Sequence, residues 1–287
     1  MNNFGVFLID KPVGITSFDV IRKLRKITGI RKMGHSGTLD PFASGLLPIL
    51  LGKATRTANL LLADKKEYLV SARLGTKTDT GDITGKIIAE KSFAEISDKQ
   101  IFRIADEMLN LKTQIPPKYS AKKINGKRAY ELARQNVEFK LKEQPVKIFS
   151  FEIVKIRLPF ITYRTTVSKG VYIRALTETF AEKLGTIAVT DKLKRTRIGN
   201  LSLEKSVSPD KINSENWQNF LIPLSEIFAD FPQIKINESQ QNYFKNGRAV
   251  SINLNDIEKI MVLDENNLCL GFAEISEGWL KPKIVLI

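Results

Sequence analysis

Strand and helix signals are interspersed along this chain, without the regular strand and helix alternation that builds a parallel sheet. The apolar run from Phe4 to Ile9 predicts a short buried strand, and apolar residues at helical spacing predict a helix that begins after Thr16 or Ser17. Later strand signals lie at residues 66–74, 86–91, 146–157 and 161–168. This order favours an α+β fold.

One connection, one helix start and one domain boundary complete the expected organisation. The polar stretch from Gly75 to Asp82 is expected to join a pair of strands at 66–74 and 86–91. Ser97 followed by Gln100 predicts the start of another helix. Past Phe231 and Pro232 the signals are short strands, which predicts two domains, a large one at 1–231 and a small β-rich one at 232–287.

The charge balance of the chain is strongly basic. It has 45 Lys and Arg against 31 Asp and Glu, a formal net charge of +14, which is typical of proteins that bind polyanions. Residues 233–287 hold six basic and seven acidic side chains, so their net charge is −1 and residues 1–232 carry +15. If the partner is a nucleic acid, the N-terminal part is expected to make most of the phosphate contacts.

Three basic groups are candidates for phosphate contact: residues 22–32, Lys118 to Arg134 with the interleaved Tyr119 and Tyr130, and the group Lys194, Arg195 and Arg197. A solvated helix face and a flexible basic loop are the alternative interpretations of the first two.

We expect a cytoplasmic protein with no membrane partner. The most apolar stretch, Ala43 to Leu51, is far shorter than the roughly 20 residues of a membrane span and contains Pro48. The segment from Met1 to Phe4 lacks the basic and apolar regions of a signal peptide. Cys269 is the single cysteine, so no intrachain disulfide forms, and its apolar neighbours predict a buried thiol.

The stretch Gly34-His35-Ser36-Gly37-Thr38-Leu39-Asp40-Pro41 concentrates chemical groups in one loop. It holds the single histidine and an acid, and Pro41 disfavours a helical conformation at Asp40. A carboxylate presented in this way suggests a nucleophile or a base. An ordinary turn, in which Asp40 bonds its own backbone, is the competing interpretation.

Several familiar chemistries do not fit these residues. One histidine and one cysteine do not build a typical Cys/His zinc site, and no serine elbow accompanies His35. No glycine-rich loop ends in Lys-Ser or Lys-Thr, which disfavours nucleoside triphosphate chemistry. The enzymatic candidate that remains is a carboxylate acting on a nucleic acid with protein groups alone.

Five motifs in order resemble those of the tRNA pseudouridine-55 synthases of the TruB type. The matching pieces are Lys11-Pro12-x-Gly14-x-Thr16-Ser17, the 34–41 loop, Tyr68 with Leu74-Gly75-x-x-Thr78-Asp79-Thr80-x-Asp82, Pro116-Pro117-x-Tyr119-Ser120-Ala121, and Ser168 to Arg174. The tail, with Leu270-Gly271 and Lys281-Pro282-Lys283, is similar to the small PUA domain of these enzymes. The resemblance implies a pseudouridine-synthase fold, with a central mixed, mostly antiparallel sheet flanked by helices and a small C-terminal β-rich domain.

The resemblance also implies an activity, the isomerisation of one uridine in the T loop of tRNA without a metal or redox cofactor. Motif matching makes Asp40 the nucleophile, Arg174 the cation that keeps it ionised and Tyr68 the ring that stacks on the target base. It gives substrate contacts to Tyr172 and His35, and places Asp82 and Leu193 along the same pocket. The T arm of tRNA is the implied partner, and no obligate protein partner is implied.

Two other functions remain open from the sequence. An RNA-binding or tRNA-folding module would keep the fold without using Asp40 as a nucleophile. A nucleoside hydrolase would need a second carboxylate that faces Asp40, with a water molecule between them.

Overall fold

The computed structural model describes residues 4–62, 65–120, 122–124, 126–135 and 137–287. The strands are β1 (Gly5–Lys11), β2 (Met33–His35), β3 (Ser44–Leu51), β4 (Lys66–Leu74), β5 (Thr76–Thr78), β6 (Ile87–Glu90), β7 (Thr113–Gln114), β8 (Lys123–Ile124), β9 (Lys127–Arg128), β10 (Gln144–Pro145), β11 (Ile148–Arg157), β12 (Phe160–Val167), β13 (Ala188–Ile198), β14 (Leu201–Ser202), β15 (Gln233–Lys235), β16 (Val250–Ser251), β17 (Ile257–Leu263), β18 (Cys269–Ser276) and β19 (Trp279–Val285). The α-helices are α1 (Ser17–Thr28), α2 (Ala58–Leu62), α3 (Asp98–Met108), α4 (Ala129–Arg134), α5 (Ile173–Lys183), α6 (Leu224–Ile227) and α7 (Glu238–Lys245). Short 3-10 helices lie at Gly52–Thr57, Leu203–Lys205, Pro209–Lys211 and Trp217–Phe220.

A central sheet organises the N-terminal part, in the order β1, β3, β13, β4, β12, β11, with β2 paired to β3 and β14 to β13. Its pairs are antiparallel except β3 with β13, which run parallel where Ser44 faces Lys194 and Gly45 faces Arg195. Apolar residues of α1, α3 and α5 pack into the core beside this sheet. The expected α+β fold with a mixed, mostly antiparallel sheet is confirmed.

Local sequence explains where the first helix begins and ends. The Thr16 side chain accepts a hydrogen bond from the backbone of Asp19, and the Asp19 carboxylate accepts one from the backbone of Thr16, which is a complete capping box. Gly29 ends the helix in a left-handed conformation, with φ of 72°. In the same way, Ser97 caps α3 by accepting from the backbone of Gln100. Both predicted helix starts are confirmed.

The expected pairing of residues 66–74 with 86–91 is wrong. Strand β6 pairs instead with β5, a strand that lies within the predicted polar connection itself. Both edges of β4 are already occupied, because β12 pairs with residues 66–73 on one side and β13 with residues 66–74 on the other. Gly75, with φ of 84°, turns the chain away from that sheet and lets β5 and β6 form a separate ribbon.

The C-terminal residues form a second, five-stranded sheet in the order β15, β17, β18, β19, β16. It has its own apolar cluster, which includes Phe244 and Leu280. A further cluster joins the two sheets, because Val6 and Leu46 of the central sheet share it with Met261 and Phe272. The small β-rich C-terminal domain is therefore present, while the boundary at 231 and 232 stays a prediction.

The structure bears on two expectations, that Cys269 is buried and that no helix spans a membrane. Cys269 is buried as expected, and burial raises the pKa of its thiol to about 12. Within the described ranges, no helix combines the length and apolar character that crossing a membrane requires.

The parallel contact between β3 and β13 depends on a glycine. A Cβ at Gly45 would lie 2.3 Å from the Arg195 carbonyl oxygen, and the φ of Gly45 is +100°. We expect Gly45→Ala to lower the free energy of unfolding by about 3 kcal/mol, because backbone atoms must move apart. Gly14 has a similar φ of +93° with nothing within 4 Å of the corresponding position. In chemical denaturation, Gly14→Ala should therefore lower the free energy of unfolding by only about 1 kcal/mol. Equal losses would contradict this explanation.

Candidate active site

Asp40 lies in the loop between β2 and β3, and hydrogen bonds hold the loop on both sides of it. The Ser17 hydroxyl donates to the Leu39 carbonyl oxygen at 3.1 Å and accepts from the Leu39 backbone N–H at 2.9 Å. The Gly14 N–H donates to the Pro41 carbonyl oxygen at 2.8 Å. Asp40 is thereby fixed against the start of α1, and its side chain is 37% exposed, so a substrate can reach it.

Arg174, in the first turn of α5, ties three segments of the chain together. Its Nε lies 3.0 Å from Oδ2 of Asp40. Its Nη1 donates to the Thr80 carbonyl oxygen at 2.7 Å, and its Nη2 donates to the Tyr119 carbonyl oxygen at 2.8 Å. The side chain is buried, and its planar fork suits several acceptors at fixed angles. The predicted pair of Asp40 and Arg174 therefore forms.

Asp82 completes the charged group from the connection that follows β5. Its Oδ2 lies 3.5 Å from Arg174 Nη1, and its Oδ1 accepts from the Thr84 backbone N–H at 3.0 Å and the Thr84 hydroxyl at 2.5 Å. Backbone bonds of 3.0 and 3.1 Å join Ile83 and Gly81 to Thr190 of β13. Asp82 is buried, so its carboxylate acts on Arg174 from a fixed position.

Burial and the neighbouring cations act on the pKa of Asp40 in opposite directions. Burial raises the pKa of the Asp40 carboxyl, Arg174 opposes the rise, Asp82 adds to it and Lys11 opposes it. Arg174 therefore favours the ionised form, as the family resemblance implies, but burial outweighs it. A carboxyl with a raised pKa loses its charge at a higher pH than an ordinary aspartate does.

Lys11 is a buried cation whose role the sequence did not reveal. Its Nζ donates to the carbonyl oxygens of Pro12 and Ile15 at 2.8 and 2.7 Å. Burial lowers the pKa of Lys11 to about 8, although the charge of Asp40 acts to raise it. Lys11 belongs to the first of the five matching motifs. No sequence pattern, however, indicated that it is buried close enough to Asp40 for their charges to interact.

Tyr68 and Leu193 lie on adjacent strands, β4 and β13, and both belong to the apolar cluster that also contains Leu39. Tyr68 is 7% exposed and faces Arg195 in the strand register. Arg195 also contacts the Asp40 loop, because its Nη2 donates to the Gly37 carbonyl oxygen at 2.9 Å. Tyr68 and Leu193 therefore lie next to Arg195, the residue of β13 that bonds to the Asp40 loop.

The two remaining predicted contacts, Tyr172 and His35, come from different elements. Tyr172 precedes α5, and burial raises the pKa of its hydroxyl, with Arg174 opposing and Asp40 adding to the shift. His35 ends β2, faces Ile49 of β3 and is half-buried. The charge of Asp40 contributes to the pKa shift of Tyr172, and His35 lies five residues before Asp40, where β2 leads into the same loop.

Gln114 is a positioning residue that the sequence analysis missed. Its Oε1 accepts from the Tyr172 backbone N–H at 2.8 Å, and its Nε2 donates to the Tyr172 carbonyl oxygen at 3.0 Å. This double contact fixes the backbone two residues before Arg174. The available sequence signal was a glutamine just before Pro116 and Pro117. This pattern is too general to indicate that the side chain is buried and holds the backbone of Tyr172.

The assignment of Arg195 to phosphate contact is wrong. Arg195 is 1% exposed, and its Nε donates to the Leu46 carbonyl oxygen at 2.8 Å. It therefore holds the Asp40 loop from inside the fold, whereas Arg197 is exposed. The basic segment 118–134 includes Ala121, Asn125 and the side chains of Arg128, Tyr130 and Arg134, which lie outside the described part. Among the residues that are described, no three His, Cys, Asp or Glu side chains form a group that could hold a metal.

Comparisons with known proteins identify the class of enzyme. A model of the N-terminal domain of the TruB family pseudouridylate synthases matches residues 25–173, and one of the C-terminal part of pseudouridine synthase II TruB matches residues 232–286. The tRNA pseudouridine synthase B of Clostridium tetani is 38% identical over 268 residues, which cover 91% of this chain and 93% of the relative. The enzyme of the same name from Aquifex aeolicus is 34% identical over 286 residues, 99% of each chain.

The chain belongs to the TruB family of pseudouridylate synthases. It is therefore an isomerase that forms pseudouridine from uridine, and the family expected from the sequence motifs is confirmed.

Solved structures agree on the fold. A Cbf5-Nop10-Gar1 complex contains a chain with a TM-score of 0.72 and 23% identity, covering 99% of this chain and 85% of that one. A chain of an archaeal box H/ACA sRNP Nop10-Cbf5 complex has a TM-score of 0.71 and 20% identity, covering 99% and 86%. These similarities confirm the expected pseudouridine-synthase architecture.

The two cations near Asp40 should affect its ionisation unequally. We expect Arg174→Gln to raise the pKa of Asp40 further, because Arg174 is the stronger of the two opposing charges. Lys11→Met should raise that pKa by less, and Arg174→Lys, which keeps the charge, should raise it least. Carbon-13 NMR titration of the carboxyl resonance, assigned with Asp40→Asn, measures all three shifts. An unchanged pKa in Arg174→Gln would exclude this electrostatic account.

Proposed function

We propose that this chain isomerises a uridine in the T loop of tRNA, at position 55, with Asp40 as the nucleophile. The observation that carries the proposal is the 3.0 Å contact between a partly exposed carboxylate and the buried guanidinium of Arg174. The relatives named tRNA pseudouridine synthase B support tRNA as the substrate. A cytoplasmic setting stays a prediction.

The proposed reaction rearranges bonds without changing the composition of the nucleotide. The bond between N1 of uracil and C1′ of ribose breaks, and a bond between C5 and C1′ forms. C5 loses a proton and N1 gains one, so the atoms balance. The ionised Asp40 carboxylate forms a transient covalent bond to the nucleotide. This bond breaks before the product leaves, which regenerates the carboxylate and divides one difficult exchange into two easier steps. Arg174 and Lys11 support this role because their charges favour the ionised carboxylate.

The target uridine must leave its stack to reach Asp40. A nucleobase inside a folded RNA loop is inaccessible to an enzyme side chain, so we propose that the nucleotide is flipped into the pocket. Tyr68 is proposed to stack on the flipped uracil, with Tyr172 and Leu193 as further contacts. His35, in the same loop as Asp40, is proposed to meet the RNA where the base has left its stack. Asp82 orients Arg174 through their 3.5 Å contact.

The hydrolase alternative is weakened by the position of the second acid. Asp82 is buried, its Oδ1 is engaged by Thr84 and its Oδ2 lies near Arg174. A carboxylate held in this way is not free to activate a water molecule opposite Asp40. The binding-module alternative does not explain why a buried guanidinium is directed at a partly exposed carboxylate.

Replacing the nucleophile should separate catalysis from binding. We expect Asp40→Asn to lower the rate of pseudouridine formation by more than about 10⁴-fold, because an amide does not attack. The affinity for tRNA should remain within about threefold, since the amide keeps the size of the side chain and the charge removed is one of many. Asp98→Asn, at an exposed position of α3, serves as the control with normal activity. Isomerisation retained by Asp40→Asn would rule out the proposed mechanism.

The net charge of +15 on residues 1–232 predicts that the affinity for tRNA depends strongly on salt concentration. With about four phosphate contacts, tRNA affinity should fall about a hundredfold between about 50 and 200 mM salt, because bound counterions are released. Binding titrations across this range measure the effect. An affinity that hardly changes would show that phosphate contacts contribute little.

A further inference from the structure

An aromatic side chain lies exposed beside the Asp40 loop and has no role in the proposed chemistry. Phe18 is 51% exposed in the first turn of α1. It directly follows Ser17, whose hydroxyl makes the two hydrogen bonds to Leu39. In the turn before the helix, Val13 is 62% exposed, and the neighbouring Gly14 bonds to Pro41. The Asp40 loop and this apolar surface therefore share one rigid frame.

Two arginines lie over the ring of Phe18. The guanidinium carbon of Arg22 is 5.9 Å from the ring centroid and that of Arg25 is 5.6 Å from it. Both distances are within the range of cation–π attraction. We call Phe18, Arg22 and Arg25 the aromatic platform.

The charges of the platform remain largely available to a ligand. Arg25 has no carboxylate partner in the ranges covered by the structure, and its Nη2 reaches the Met33 carbonyl oxygen only at 3.5 Å. Arg22 pairs with Asp19, and Lys23 pairs with Asp210, at exposed positions where water competes. Residues 17–32 hold six Lys and Arg and one acid, so the surface remains strongly positive.

We propose that the aromatic platform stacks an unpaired nucleobase of the bound tRNA, a base other than the reacting uridine, while Arg22 and Arg25 contact its phosphates. The inference rests on the proposed function. An exposed ring bordered by arginines matches the chemistry of single-stranded nucleic acid, which offers a flat base beside a negative backbone. The positive surface is complementary to RNA, and its hydrogen-bonded frame continues into the proposed substrate site. The occupant is therefore RNA rather than an apolar protein surface.

The test compares two phenylalanines of equal exposure. Phe102 of α3 is 52% exposed, against 51% for Phe18. We expect Phe18→Leu to weaken the binding of a full-length tRNA transcript about tenfold, because a base–aromatic stack is lost and an apolar side chain is kept. Phe18→Tyr should stay within about twofold of the unmodified protein, and Phe102→Leu should be unchanged. At saturating protein, the single-turnover rate of Phe18→Leu should equal that of the unmodified protein. Thermal melting confirms that each variant is folded.

A spectroscopic measurement tests the stack directly. Phe18→Trp should retain affinity, and its added fluorescence should be quenched by tRNA, whereas Phe102→Trp should show no such quenching. Equal affinities for Phe18→Leu and Phe102→Leu, or emission from Phe18→Trp that tRNA leaves unchanged, would overturn the platform. These outcomes are independent of the proposed function, which is tested by whether the unmodified protein forms pseudouridine in tRNA and at which nucleotide. Binding would then still decide whether the platform exists.

Discussion

The arrangement of the site depends on the contacts that the guanidinium of Arg174 makes. One buried side chain reaches the Asp40 carboxylate, the Thr80 carbonyl oxygen and the Tyr119 carbonyl oxygen, at distances of 3.0, 2.7 and 2.8 Å. These acceptors come from segments far apart in sequence. A buried cation needs such partners because leaving its donors unsatisfied costs several kcal/mol. Satisfying Arg174 therefore also sets the position of Asp40.

The rest of the fold holds that guanidinium in place. Gln114 clamps the backbone of Tyr172, just before α5 begins. Inside the core, the Thr177 hydroxyl of α5 lies 2.8 Å from the hydroxyl of Tyr163 on β12 and accepts from Thr190 of β13 at 3.0 Å. Buried hydrogen bonds between hydroxyl groups thus attach helix α5 to two strands of the central sheet. Another buried arginine, Arg195, supports the Asp40 loop three residues earlier, through the Gly37 carbonyl oxygen.

The sequence predicted what depends on local rules and on motifs. The helix start after Thr16 or Ser17, the strand at residues 66–74 and the pair of Asp40 with Arg174 all follow from patterns within a few residues or from the family resemblance. Strand partners are different, because the neighbours of β4 are chosen by long-range packing, and the separate β5 and β6 ribbon was missed. The burial of Arg195 and Lys11 was missed for the same reason, since a cation in a basic sequence resembles a surface charge until its backbone acceptors are known.

In the proposed reaction, one carboxylate held in a fixed position acts on one flipped uridine of tRNA. The most direct test incubates an unmodified tRNA transcript with the protein and maps pseudouridine at single-nucleotide resolution. We expect a single modified nucleotide, in the T loop, and no free uracil. Pseudouridine elsewhere in the tRNA with none in the T loop, or release of uracil, would contradict it.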